Sequence, residues 1–237
     1  MNSLNESQFL GRLITIEGSD GTGKSTQIEL LCKHLRSTGH SVVMYDFPHK
    51  AGTPIGDLIG SFLQGNFGDV TPEFLALAFA VDRLESRTRL LADLEAGSTV
   101  ICDRYVRSNI AFQSAKTDSA ARRSQFEALL IWVEYTLFKL PAPDLELVLF
   151  ADDNYFSNGQ HLRRETNQER QYIGQKADIH EDATELQVAV NNYYAALPSS
   201  NRLEKISIFD GNNDRRSVAD LHIMILRAIA TCIEPLR

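Results

Sequence analysis

The chain has 237 residues, 43% hydrophobic and 23% charged, with a formal net charge of −7. That length can bury a substantial core as one domain, and the composition excludes a disordered or fibrous chain. The acidic balance argues against a broad nucleic-acid or anionic-membrane surface, while a local basic patch for a small phosphorylated ligand stays open.

The first ten residues, MNSLNESQFL, lack the basic and apolar regions of a secretory signal, and no apolar run approaches the length of a membrane span. Cys32, Cys102 and Cys232 are odd in number and widely separated, which suits small buried apolar residues better than a disulfide framework or zinc cluster. The expectation is a cytoplasmic protein with a mobile N-terminal extension over residues 1–11 and a single domain over 12–237.

The first predicted strand, RLITIEG, runs directly into IEGSDGTGKSTQ, residues Ile16 to Gln27. Gly18, Gly23, Lys24 and Ser25 satisfy G-x-x-x-x-G-K-[ST], the spacing of a phosphate-binding loop. Such a loop turns backbone N–H groups toward an anion, and the helix that follows adds its positive end. Gly18, Gly21 and Gly23 supply the backbone conformations, with Ser19, Asp20 and Thr22 between them. Lys24 would reach the β- and γ-phosphates and Ser25 would offer its hydroxyl to Mg²⁺, while Thr26 belongs to the helix that supports the loop. Ile28, Leu31 and Leu35 then recur at helical spacing.

Further strands are predicted at SVVMYDFP, STVICDR, LELVLFAD and KISIFDG, and helical spacing returns between them, as at Phe126, Leu129, Leu130 and Val133. Alternating strand and helix favours a parallel sheet covered on both faces, with ligands gathered at the strands' carboxyl ends. Four clusters should meet there: the phosphate loop, Phe47 to Lys50, Asp103 to Tyr105, and Asp210 with Gly211. The polar stretch 152–178 interrupts the pattern, carries Arg163, Arg164 and Arg170, and reads as a lid over the cleft or as a solvated charged surface.

The stretch DRYVRSNIAFQ, residues Asp103 to Gln113, narrows the field. Together with IEGSDGTGKSTQ, DFPHKAGTPIGDLI, LAFAVDRLE, LPAPDLELVLF and ERQYIG, it resembles the thymidylate kinase family of P-loop nucleoside monophosphate kinases. The resemblance implies a three-layer α/β P-loop NTPase fold with about five parallel strands and a lid, ATP and Mg²⁺ as donor and cofactor, dTMP as acceptor, and a homodimer. A kinase for another nucleoside monophosphate or a deoxynucleoside, and a P-loop protein without transfer activity, are the rival readings.

The family's roles fall on these positions. Asp20 looks like the carboxylate beside the acceptor's 3′-hydroxyl, and Asp103 like the acidic partner of the Mg²⁺ shell. Phe47, Phe79 and Arg83 look like base-site residues, Phe79 stacking on thymine and Arg83 donating to its edge. Arg104 looks like the ligand of the acceptor phosphate, with Tyr105, Ser108, Phe112 and Gln113 lining the same pocket. Core packing for Phe79, and an ion pair with Asp82 or Glu85 for Arg83, are the structural alternatives.

The chain departs from the family at His49 and Lys50, where many relatives carry Glu and Arg, so Lys50 would meet the phosphate as a point charge. Tyr172 is displaced by one position. Gly21 stands where some relatives place an arginine, which implies a catalytic arginine from Arg163, Arg164 or Arg170. Asp210, after the last strand, would border the donor adenine.

Overall fold

The computed structural model describes residues 9–68, 70–117, 119–151, 155 and 184–233. Five parallel strands, β1 (Arg12–Gly18), β2 (Val42–Asp46), β3 (Thr99–Asp103), β4 (Leu145–Phe150) and β5 (Leu203–Ser207), form one sheet in the order β2-β3-β1-β4-β5. Helices α1 (Lys24–Ser37), α2 (Pro54–Leu63), α3 (Pro72–Glu95), α4 (Val106–Ser114), α5 (Ala120–Ile131), α6 (Thr184–Ala196) and α7 (Val218–Ile233) connect and cover it. This is the expected α/β P-loop architecture.

Period-two alternation in β1 sends its side chains into separate layers. Ile14 and Ile16 join Ile28 and Leu31 of α1 and Ile225 of α7 on one face. Leu13 joins Leu90 and Leu94 of α3 and Val106 of α4 on the other. Local chemistry starts the helices: the Thr53 and Thr71 hydroxyls accept from Gly56 and Phe74 N–H, with Pro54 and Pro72 in the first turns.

Two expected details change. The last strand begins at Leu203, two residues before KISIFDG, where Glu146 N–H donates to Arg202 O at 2.7 Å; Ile208 N–H still donates to Phe150 O at 2.9 Å beyond its end. Leu129, expected on the buried face of its helix, is 46% exposed, because Phe126, Leu130 and Val133 take the core positions. Ahead of β1, Phe9 packs on the second core layer and Gly11 N–H donates to Leu94 O at 2.9 Å.

After α5 the helix widens into a π-helical segment, Trp132–Leu137, which carries the wholly buried Glu134. Such widened turns are uncommon and frequent at functional sites. The lid candidates Arg163, Arg164 and Arg170, and Tyr172, lie outside the described residues.

Candidate functional site

All five strands end on one edge, and the sheet order reverses about β1, so the loops after β1, β2 and β3 converge beside one another. Gly18 closes β1 at φ +146°, where a Cβ would stand 2.3 Å from Leu149 O; only glycine allows β4 to come so close. Helix α1 then starts at Lys24 with no side-chain cap, the arrangement that presents N–H groups to a phosphate. Ser19 O accepts from Thr22 Oγ1 at 2.8 Å and from Lys24 Nζ at 2.9 Å, which folds the loop around one carbonyl. Lys24 is buried and 3.8 Å from Asp20 Oδ1; burial first, then the nearby Arg104 charge, lowers its pKa. Ser25 and Thr26 occupy the exposed first turn.

Asp20 joins the loop to the acceptor side. Its carboxylate accepts from Arg104 Nη2 and from Gln187 Nε2, and its own N–H donates to Gln187 Oε1 at 3.0 Å. Burial pushes this carboxyl up, but Arg104, Lys24 and Gln187 together outweigh it and hold it below the ordinary value. Arg104 sits in a left-handed backbone conformation at φ +62° that aims its side chain back across β1. Nη1 donates to Gly18 O at 3.2 Å and Ser108 Oγ at 3.5 Å, and the guanidinium lies 4.9 Å from the Phe112 ring centroid.

These groups open onto one cavity. Every expected acceptor residue lines it: Phe47, Lys50, Phe79, Arg83, Arg104, Tyr105, Ser108, Phe112 and Gln113, together with Asp20. Pro48, Leu63 and Asn109 complete the wall. Phe79 is both core and site, since it packs with Ile59, Phe62 and Leu75 and also faces the cavity. Lys50 is held there by a close approach: a Cβ at Gly60 of α2 would meet Lys50 O at 2.1 Å.

The ion pairs differ from the expected ones. Arg83 does not pair with Asp82 or Glu85; Nε and Nη2 each donate to Glu134 at 2.5 Å, fifty-one positions along the chain. Asp82, with no exposed surface, instead takes the His49 N–H at 3.0 Å and the His49 ring at 2.9 Å. The His49 departure thus ties the Phe47–Lys50 loop to α3.

Behind the cavity lies a buried polar layer. Glu17 accepts from Ser108 Oγ and from Tyr194 OH at 3.3 Å, and burial raises its carboxyl above the ordinary range despite the Ser108 bond. Asp103 presents a buried Oδ1 with no hydrogen-bond partner among the described residues. No cluster of three or more His, Cys, Asp or Glu side chains that could hold a metal forms among the described residues. A Ser25 hydroxyl with one Asp103 oxygen fits Mg²⁺, which takes few protein ligands and completes its shell with water and phosphate oxygens.

After β5, Asp210 is half-buried, and its carboxylate accepts from Asn212 and Asp214 N–H at 2.9 Å, which holds it below its ordinary pKa within its own turn. The residue that reaches the phosphate loop is Arg215: Nη2 donates to Gly21 O at 3.1 Å and Nη1 to Tyr155 OH at 2.5 Å. Tyr155 OH donates to the same carbonyl at 2.8 Å, and the guanidinium lies 5.1 Å from its ring centroid.

Sequence reasoning passed over Glu17, Asn109, Glu134, Gln187, Tyr194 and Arg215. Glu134 was detectable as a charge inside the apolar run LLIWVEYTLF. Gln187 and Arg215 carried no local signal.

Fold and site together define a P-loop phosphotransferase with a second pocket beside its phosphate loop. The thymidylate kinase family model matches residues 16–206, and the chain belongs to that family. It is 31% identical over 188 residues to the thymidylate kinase of Mycobacterium tuberculosis H37Rv, covering 78% of this chain and 85% of that one. It is 36% identical over 139 residues to the Homo sapiens thymidylate kinase, covering 59% of this chain and 60% of that one. The solved thymidylate kinase of Candida albicans superposes with a TM-score of 0.69 at 25% identity, covering 93% of this chain and 92% of that structure. Among the described residues, no helix is long and apolar enough to cross a membrane.

Proposed function

We propose that the protein transfers the γ-phosphoryl group of ATP to dTMP, giving ADP and dTDP. The observation that carries this reading is one cavity in which Asp20 of the phosphate loop and Arg104 after β3 meet an apolar pocket with a polar end. The phosphate loop and Lys24 hold the donor phosphates. Arg104 and Lys50 hold the acceptor phosphate, and Phe47, Phe79, Arg83 and Asn109 enclose the base.

Two polyanions are thereby brought within reach, and an acceptor oxygen attacks the γ-phosphorus in line while ADP leaves. That oxygen is already ionised, so no strong general base is needed. Ser25 and Asp103 would hold Mg²⁺, which when bound neutralises charge on the donor phosphates. The arginine that meets the transferred group comes from Arg163, Arg164 or Arg170. We read the chain as one catalytic domain over 12–237 acting as a cytoplasmic homodimer; the family resemblance and the unpaired thiols of Cys32, Cys102 and Cys232 support this.

The test is ADP release with ATP and a panel of dTMP, dUMP, dCMP and thymidine. Turnover highest with dTMP supports the reading. Turnover highest with thymidine, or ATP hydrolysis indifferent to every acceptor, overturns it.

A further inference from the structure

Glu134 is wholly buried, and both its oxygens face donors. Oε2 accepts from Arg83 Nε at 2.5 Å, while Oε1 accepts from Arg83 Nη2 at 2.5 Å and Asn109 Nδ2 at 2.9 Å. Arg83 and Asn109 are neighbours in the wall of the acceptor cavity. One carboxylate on the π-helical segment therefore holds the two polar side chains at that end of the pocket.

What each may offer a ligand follows from what Glu134 takes. Arg83 is a donor throughout, and its Nη1 stands outside the pair with Glu134. Asn109 spends its two amide hydrogens on acceptors, Glu134 Oε1 and Ala76 O, the latter at 2.9 Å. A carboxylate cannot donate, so the amide cannot turn over without setting oxygen against oxygen. Its Oδ1 is thereby fixed as a buried acceptor, with no partner among the described residues.

The cavity end thus presents one donor beside one acceptor. A 4-keto pyrimidine offers the complement, an O4 acceptor beside an N3–H donor; a 4-amino pyrimidine offers the reverse, an amino donor beside an N3 acceptor. We propose that Glu134 is a positioning residue that sets the enzyme's choice of 4-keto over 4-amino pyrimidine nucleotides by locking the Asn109 amide and the Arg83 fork. The inference rests on the reading above that this cavity takes the acceptor base.

In Glu134→Leu no acceptor faces Arg83 Nε, Arg83 Nη2 or Asn109 Nδ2, whereas Glu134→Gln would keep one oxygen for Asn109 and so keep the lock. The Asn109 amide is then held by Ala76 O alone, so inversion costs one bond instead of two and turns N–H into the cavity, where it suits a 4-amino base. The experiment is steady-state kinetics of the wild-type and Glu134→Leu proteins with dTMP, dUMP and dCMP, with circular dichroism to check the fold. Wild type should prefer dTMP to dCMP by about 10⁴-fold in kcat/KM, the scale of rejection when buried polar groups are mispaired. In the variant that ratio should fall by about tenfold or more, from one reversed hydrogen bond.

The dTMP to dUMP ratio should stay within about threefold of wild type, because both bases show the same keto edge, whereas a merely loosened pocket would shift it through the apolar wall. An unchanged dTMP to dCMP ratio in the folded variant overturns the proposal. Should Glu134→Leu not fold, Glu134→Asp, which keeps the charge but draws the acceptor back from Asn109, carries the test: a fall in the dTMP to dCMP ratio supports the lock, and an unchanged ratio overturns it. A wild-type protein that does not use dTMP would instead refute the acceptor reading itself.

Discussion

Arg104 offers a test that separates its backbone strain from its part in activity. The residue pays a backbone strain at φ +62° to place its guanidinium against Asp20, Gly18 O and Ser108. Charge-assisted hydrogen bonds contribute about 1.5–3 kcal/mol each, so losing the contacts to an acceptor phosphate removes about 4 kcal/mol of transition-state stabilisation, or about 10³ in kcat/KM. Arg104→Ala and Arg104→Gly should both show that loss, since neither retains a cation. Asp20 is left with Lys24 at 3.8 Å and Gln187, so each variant also loses folding stability, by about 1–3 kcal/mol. Glycine, however, relieves the left-handed strain, about 1 kcal/mol, or about 3 °C in Tm for a chain of this size. The Gly variant should therefore melt above the Ala variant, reversing the usual order, while both remain inactive. Thermal unfolding followed by ADP-release kinetics decides it. An Ala variant melting at or above the Gly variant refutes the strain, and turnover within tenfold of wild type refutes the phosphate role.

Lys24→Ala should fold normally and lose about 10³ in kcat, because the loop amides remain while the charge on the β,γ-phosphates is gone; a coupled assay on the folded variant checks this. Arg215→Ala should raise the KM for ATP about tenfold with the dTMP KM little changed, since the side chain braces the loop at Gly21; equal changes for both substrates would place it in the general scaffold. Glu17 has a folded pKa raised above its ordinary value, so the native state binds the extra proton and stability falls as pH rises through the window above about 4.5. Glu17→Gln carries no such proton, and its plot of unfolding free energy against pH should lose that downward component; denaturant titrations across the acid to neutral range measure it. Single Ala variants of Arg163, Arg164 and Arg170 should include one with kcat reduced about 10²-fold at nearly unchanged KM, and three variants all near wild type would exclude a lid arginine.

The features legible in the sequence were those enforced by local chemistry. Gly18 and Gly23 mark a turn that few other residues can make, and the β-branched runs on either side of Asp103 and Arg104 announce strands whose ends must share an edge. The resemblance carried the acceptor residues, and the cavity gathers all of them. The partnerships between those residues stayed hidden because they are long-range. Glu134 meets Arg83 from fifty-one positions away, Gln187 meets Asp20 from 167, and Arg215 meets Gly21 from 194. A helical-wheel reading of Arg83 could see only neighbours on its own helix, such as Asp82 and Glu85. It had no access to a buried carboxylate delivered by another element.

The difference between contact lists and energetic roles follows from burial. An arginine paired on a surface contributes little and can be exchanged, whereas Arg83 is 3% exposed and Glu134 is fully buried, so removing either one strands the other's charge. The cavity's chemistry is therefore set one layer behind its wall. Glu134 fixes Arg83 and Asn109, Gln187 and Arg104 fix Asp20, and Glu17 with Tyr194 fixes Ser108. Each wall residue is a short polar group with more than one rotamer or amide orientation open to it in water. Each is held to one by a buried partner behind it. A pocket built in this way can present a donor beside an acceptor without reorganising when the nucleotide arrives, and such preorganisation distinguishes a site that selects a base from one that merely encloses it.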